Sequence, residues 1–256
     1  MENRLKNPPI VEALLEIQWE LKSVGALNPT DPYFQLLVGS FYEKIKSQYP
    51  FYEPLPASTI PDDITGPVVK HRFRVAKDGW PLVQIGPGIM SVNQTEKYGT
   101  FGNFKPLAIQ AVNTLIEAYP AGELKIISVL LRYIDAKELD YSQENICEFL
   151  TEKMHIPLEM PSFLFMAGKL EPFPLNLNLK SSFRCNEPPG TATLSISTGH
   201  KEGKRAVIWD QMLKSTGDDV PNMGQNFETW IDQVHLVIDA WFWKLIEGDL
   251  REEFDQ

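Results

Sequence analysis

Residues 82–93 read Leu82-Val83-Gln84-Ile85-Gly86-Pro87-Gly88-Ile89-Met90-Ser91-Val92-Asn93. Two runs rich in strand-forming residues flank Gly-Pro-Gly, so the stretch predicts a β-hairpin. Proline fixes φ and removes a backbone donor, and the flanking glycines can adopt the positive φ that a tight turn often needs. A helix is predicted directly after the hairpin, with Asn103 as its N-cap and its end before Pro120.

The chain around this hairpin is predicted to alternate between strands and helices. Alternating or continuous apolar runs predict strands at residues 11–21, 69–75, 124–134, 163–170, 175–185, 193–198 and 205–213. Apolar residues at helical spacing predict helices at residues 34–49, 103–119, 142–154 and 226–245. Helix is the alternative for residues 11–21, which are rich in Ala, Leu and Glu. The proline-rich residues 50–67 predict a loop with room for one short edge strand.

The order of these elements repeats along the chain. Residues 1–120 are predicted to form strand, helix, about three strands and helix, and residues 121–256 repeat the order with about four strands. Such units place their helices on one face of a sheet, so the sequence predicts an α+β fold in which two similar halves share a long antiparallel sheet. The arrangement resembles the duplicated fold of the TATA-binding protein, an analogy of fold that says nothing about function.

Composition restricts the class of protein. Of 256 residues, 43% are hydrophobic and 11% aromatic, which is enough for a sizeable core. The formal net charge of −10 disfavours non-specific binding to nucleic acid or to an anionic membrane. No apolar run approaches the roughly 20 residues of a membrane span, and no secretory leader is recognisable. We therefore expect a cytoplasmic protein, and two unpaired cysteines, Cys147 and Cys185, agree with a reducing compartment.

Four motifs spread along the chain resemble a known family. They are Asn7-Pro8-Pro9-Ile10-Val11-Glu12-Ala13, Gln84-Ile85-Gly86-Pro87-Gly88 with Ser91-Val92-Asn93, Leu131-Arg132-Tyr133-Ile134, and Leu250-Arg251-Glu252-Glu253-Phe254. Together they are similar to the landmarks of a prokaryotic protein family of unknown function that is distributed sporadically among genomes. Asp135 stands where the family pattern has Asn. The resemblance implies a shared fold and a link to mobile or defence genes, and it implies no activity.

No catalytic, cofactor-binding or metal-binding residue is predicted. The four histidines lie far apart and form none of the spacings of local metal motifs. His71 and His235 lie beside apolar positions, which favours hydrogen-bonded structural roles. Gly86-Pro87-Gly88 is unsuited to phosphate, because proline removes a donor and a strand rather than a helix follows. Cys147 has no histidine nearby in the sequence, and there is no nucleophile elbow.

The polar face of the predicted sheet is the candidate binding surface. If helices cover the apolar face, the other face displays Glu12, Glu16, Arg72, Arg74, Gln84, Asn93, Arg132, Lys180 and Arg184. A solvated sheet face is the alternative, because antiparallel sheets commonly expose one side. In the functional interpretation, arginine and amide side chains recognise a polar or anionic partner. If the halves meet at their first strands, Glu16 and Arg132 are predicted to form an ion pair.

These features favour a non-catalytic binding or accessory protein over an enzyme. Its partner would be an unidentified protein or a polar ligand, and a homodimer is also compatible with the sequence. The first alternative is a small-molecule-binding protein or enzyme with its site between sheet and helices. The second is a nucleic-acid-binding saddle, which the acidic composition and the few aromatic residues on the polar face disfavour.

Overall fold

The described residues form one antiparallel sheet with helices packed against one of its faces. The computed structural model describes residues 5–23, 28–95, 98–168, 170–171 and 174–256. The strands are β1 (Ile10–Trp19), β2 (Phe51–Pro54), β3 (His71–Arg74), β4 (Leu82–Gly86), β5 (Ile89–Thr95), β6 (Ile126–Glu138), β7 (Asn178–Asn186), β8 (Pro189–Lys201) and β9 (Lys204–Thr216). They form a nine-stranded sheet in the order β2-β3-β4-β5-β1-β6-β9-β8-β7. The predicted α+β class, with an antiparallel sheet, is confirmed.

The helices enclose two apolar cores on the same side of the sheet. They are α1 (Phe34–Ile45), α2 (Asp62–Thr65), α3 (Phe101–Ala118), α4 (Ile146–Lys153), α5 (Ser162–Gly168), α6 (Phe227–Leu245) and α7 (Asp249–Phe254). The larger core joins α1, α3 and α6 to the middle of the sheet, and the smaller joins α4, α7 and the end of α6 to β8 and β9. Within the described ranges, no helix is long and apolar enough to cross a membrane.

Strand β1 lies at the centre of the sheet and shows how alternation sorts its two faces. Ala13, Leu15, Ile17 and Trp19 point into the core and are at most 1% exposed. The side chains between them point to the opposite face and are only half-buried. Period-two alternation therefore outweighs the helix-forming composition of this segment, because a strand with these contacts buries every second side chain. The strand prediction is confirmed, and the helix alternative was wrong.

The hairpin of β4 and β5 forms as predicted, but its two glycines are required for different reasons. Gly88 adopts a φ of 72°, a backbone conformation that is unfavourable for residues with a Cβ atom. Gly86 has no positive φ; a Cβ atom there would lie 1.8 Å from the carbonyl oxygen of Val68. The backbone of residues 68–70 thus passes directly over Gly86, and only glycine leaves it room.

Three predicted elements differ from the structure in type or in the residue that caps the helix. Residues 163–170 were predicted as a strand, which was wrong, since α5 occupies residues 162–168. A continuous apolar run does not distinguish strand from helix by periodicity. Helix α3 begins after Thr100, which forms a capping box with Asn103, so Asn103 is not the N-cap. Helix α4 begins after Asn145 rather than Ser142, because the Asn145 Oδ1 atom accepts a hydrogen bond from the Cys147 amide at 3.0 Å.

The strand order is similar on the two sides of the central β1–β6 pair. Outward from β1 the strands are β5, β4, β3 and β2, and outward from β6 they are β9, β8 and β7. The contact between the first strands of the two halves, which was the condition for the predicted Glu16–Arg132 pair, is present as this antiparallel pair. The division predicted at residues 120 and 121 falls between α3 and β6. That the halves arose by duplication stays a prediction.

Candidate functional site

The nine predicted face residues lie on one side of the sheet, opposite the helices. Residues directly opposite each other on neighbouring strands point to the same face of the sheet. Leu14, for example, lies opposite Asn93 on β5 and opposite Arg132 on β6, so these three side chains share a face. The same side includes Glu12 and Glu16 of β1, Arg72 and Arg74 of β3, Gln84 of β4, and Lys180 and Arg184 of β7. We call this side the open face. The structure therefore brings the predicted residues onto one surface, and their role in binding stays a prediction.

A chain of hydrogen bonds, the polar ladder, crosses five strands of the open face. It consists of Glu53, Arg72, Arg74, Gln84, Ser91, Asn93 and Glu12. At one end, Arg74 Nε donates to Glu53 Oε2 at 3.1 Å and holds the pKa of this carboxyl below its usual range. At the other end, Asn93 Nδ2 donates to Glu12 Oε1 at 2.7 Å. The two arginines of β3 thus share one carboxylate and are held in fixed positions.

Arg132 at the centre of the face binds Asp210 rather than Glu16. Its Nε atom donates to Asp210 Oδ1 at 2.8 Å, and its Nη2 atom donates to Asp210 Oδ2. These bonds raise the pKa of Arg132, and the carboxylates of Glu12 and Glu16 add to the effect. The predicted Glu16–Arg132 ion pair was wrong, because the register places Glu16 opposite Leu130. Glu16 instead accepts a hydrogen bond from Gln18 at 2.8 Å.

The other half of the open face carries a row of hydroxyl groups, which we call the hydroxyl stripe. It consists of Thr191, Thr193, Ser195 and Ser197 on β8. Lys180 of β7 lies opposite Ser195 on one side, and Lys214 of β9 lies opposite Thr191 on the other. Neither lysine has a hydrogen-bond or ion-pair partner among the described residues, whereas Arg184 binds Asp219 through both terminal nitrogens. Thr193 is buried, and its hydroxyl lies 2.9 Å from the Ser182 hydroxyl. The other three hydroxyls and the two lysines can offer donors to oxygen acceptors.

A second group of polar side chains lies between the sheet and α6, and we call it the interior polar cluster. It consists of Tyr98, Tyr133, Asp135, Trp209, Gln211 and His235. The Tyr133 hydroxyl lies 3.1 Å from the Tyr98 hydroxyl and 3.2 Å from His235 Nδ1. His235 also stacks on Phe101 with ring centroids 3.8 Å apart, and burial lowers its pKa to about 4. The predicted hydrogen-bonded state of His235 is confirmed.

The rest of the cluster holds buried polar atoms without partners. Tyr133 and Asp135 of β6 lie opposite Gln211 and Trp209 of β9. Gln211 and Trp209 are fully buried, and Gln211 Oε1, Gln211 Nε2 and Trp209 Nε1 have no hydrogen-bond partner. Left without any partner, protein or solvent, each such atom would cost roughly 1–3 kcal/mol. Three of them, at roughly 3–9 kcal/mol, are comparable with the whole net stability of about 5–15 kcal/mol of an ordinary domain.

Asp135 is the carboxyl group of this cluster. It is 2% exposed, and burial raises its pKa to about 8, with a further contribution from the negative charge of Asp210. The sequence analysis missed the cluster as a site. A local signal exists, since Asp135 and Gln211 occupy positions that the alternation of their own strands directs inward. Their proximity depends on the pairing of β6 with β9, which no local pattern reveals.

The remaining candidates of the sequence are its histidines and cysteines. In the part of the chain that the structure describes, no group of three or more histidine, cysteine or acidic side chains could hold a metal ion. His71 is half-buried, and its Nδ1 atom lies 2.8 Å from the Tyr52 hydroxyl, as predicted for a structural histidine. Burial raises the pKa of the Cys147 thiol, which disfavours the nucleophilic thiolate.

A scan against protein-family models finds no match to the chain, and a search of curated proteins finds none either.

Proposed function

We propose that this protein is a non-catalytic binding or accessory module whose open face binds a polar protein partner. The observation that carries the proposal is the hydroxyl stripe with its two unpaired lysines. Arg132 and Arg184 of the same face are each bound to their own carboxylate, and Arg72 and Arg74 share Glu53. The two lysines beside the stripe differ from them, because no carboxylate among the described residues binds either one. A partner that contributes carboxylate or carbonyl oxygens fits this pattern of donors.

The polar ladder supports binding because it fixes the neighbouring surface in advance. Ser91 and Asn93 are 4% and 6% exposed, so these side chains are already ordered within the face. A surface that loses little side-chain entropy on association binds more tightly than a flexible one of equal area. A sheet face with fixed polar positions therefore suits recognition of a protein surface better than chemistry on a small substrate.

The wider setting of this function is also part of the proposal. The two free cysteines support a cytoplasmic location. The resemblance to a sporadically distributed prokaryotic family supports a gene linked to mobile or defence functions. The similar order of strands around the β1–β6 pair supports an origin by internal duplication.

The test is native mass spectrometry of the tagged protein purified gently from its own host, with and without nuclease. The variant Lys180→Glu/Lys214→Glu reverses the two unpaired charges, and Lys77→Glu is the control because Lys77 is exposed in the turn after β3. We expect a nuclease-resistant protein adduct on wild type and on the control, with at least a tenfold loss on the double variant. An adduct retained equally by all three proteins contradicts the proposal, and an adduct removed by nuclease replaces it with nucleic-acid binding.

A further inference from the structure

The interior polar cluster differs from the other buried polar positions of this fold. The indole nitrogens of Trp19, Trp230 and Trp243 each donate to a side-chain oxygen, at 2.8, 2.9 and 3.1 Å. Trp209 is as deeply buried as any of them, and its indole nitrogen has no partner. Gln211, two residues further along β9, has none for either atom of its amide. Both side chains point to the helix side of β9, where Leu213 joins the larger core and Trp209 the smaller.

Four polar side chains meet at this position because of the strand register. Tyr133 lies opposite Gln211, and Asp135 lies opposite Trp209. Directly opposed residues of antiparallel strands have Cβ atoms about 4.5–5.5 Å apart, and diagonal neighbours remain within reach of long side chains. The amide, the indole N–H and the Asp135 carboxyl are therefore neighbours on the helix side of β6 and β9. They offer donors and acceptors together, and buried groups of this kind are normally satisfied by protein, water or ligand.

We infer that the interior polar cluster is a binding site for one or more small neutral molecules that both donate and accept hydrogen bonds, held by Gln211 and Trp209. The molecule is neutral because the site lies between two apolar cores, where a charged molecule would need an oppositely charged partner that Gln211 and Trp209 do not provide. It must accept from the indole and from the amide NH₂, and donate to the amide oxygen. Solvent water and a retained small amide or alcohol share this chemistry. The site is independent of the open face.

The variant that tests the site is Gln211→Met, which keeps the length of the side chain and removes its donors and acceptor. If a bound molecule satisfies the amide, the variant loses that molecule and its melting temperature falls. If the amide is unpaired, methionine removes a desolvated polar group and the melting temperature rises. Gln143→Met is the control, because Gln143 is exposed in the turn before α4.

Two further measurements distinguish the sources without depending on the melting temperature. Cross-relaxation between the Gln211 side-chain NH₂ and a long-lived water, in ¹⁵N-labelled protein, identifies buried solvent. A small mass present in native spectra of host-purified protein, lost on unfolding and absent from Gln211→Met, identifies a retained molecule. Either signal supports the site. The absence of both signals overturns it, whatever the variant does to the melting temperature.

Discussion

Replacing the buried carboxyl of Asp135 by an amide should change how the stability of this protein depends on pH. Asp135 is 2% exposed, and burial raises its pKa to about 8, against about 3.9 in an unfolded chain. Between these values the folded protein holds a proton that the unfolded chain has released. Stability therefore falls as pH rises through this range, by about 1.4 kcal/mol for each pH unit. From pH 5 to pH 7 the Asp135 carboxyl alone removes about 3 kcal/mol.

Asp135→Asn has no titrating group at this position, so it should escape that loss. We expect the stability of the variant relative to wild type to grow by about 3 kcal/mol from pH 5 to pH 7. In a chain of this size that difference corresponds to roughly 6–12 °C in melting temperature. Titrating groups that do not interact with Asp135 are shared by the two proteins, so their effects cancel in the difference. A constant offset between asparagine and aspartic acid does not affect the slope.

The assay is urea unfolding at pH 5, 6 and 7, followed by tryptophan fluorescence, for wild type and variant. Asp78→Asn provides the matched control, because Asp78 is exposed in the turn between β3 and β4 and its replacement makes the same chemical change. We expect its difference from wild type to be independent of pH. If the curves for Asp135→Asn and wild type are parallel between pH 5 and pH 7, the carboxyl is not desolvated and the description of the interior polar cluster is wrong.

Three further predictions concern the packing that supports the two sites. His235→Gln should reduce the loss of stability below pH 6.5. In the wild type the pKa of His235 is lowered to about 4, so on acidification the unfolded chain binds a proton before the folded protein does, and stability falls by about 1.4 kcal/mol per pH unit. Acid unfolding curves of the two proteins would show the difference. Gly86→Ala should lower the free energy of unfolding by roughly 1–3 kcal/mol or more, because the new Cβ atom would meet the Val68 carbonyl. Gly39→Ala, which has open space around it in α1, should raise it by about 1 kcal/mol. Equal effects of the two variants in thermal unfolding would refute the close approach at Gly86. Asp31→Ala should lower the free energy of unfolding by roughly 3–6 kcal/mol, as measured by chemical denaturation. The reason is that the Trp19 and Tyr119 donors, each 2.8 Å from the Asp31 carboxylate, lose their acceptor. A loss under about 1 kcal/mol would contradict this.

The sequence predicted best those features that depend on one strand or one helix at a time. Alternation along β1 correctly separated its inward side chains from Glu12 and Glu16, and this was enough to place the predicted binding residues on one face. It failed for residues 163–170, where consecutive apolar residues carry no period. Strand type and face orientation are local properties, and they were therefore accessible.

Features that depend on which strands pair, and in which register, could not be obtained from the sequence. Arg132 binds Asp210, which lies 78 residues away in the chain, and the predicted partner Glu16 is displaced by the actual register of β1 and β6. A shift of two residues changes the partner while preserving the face. Likewise, Gln211 becomes notable only when its neighbours across the strands are known. The interior polar cluster is a property of the pairing of β6 with β9.

The central claim is that the open face binds a partner at the hydroxyl stripe, and lysine footprinting tests it without knowledge of that partner. The gently purified protein is acetylated before and after a high-salt wash, and the modification of Lys180, Lys214 and Lys77 is measured by peptide mass spectrometry. The proposal predicts that Lys180 and Lys214 are protected before the wash and reactive after it, while Lys77 reacts equally in both samples. Equal reactivity of Lys180 and Lys214 before and after the wash, in a preparation that carries a protein adduct, would show that the partner binds elsewhere.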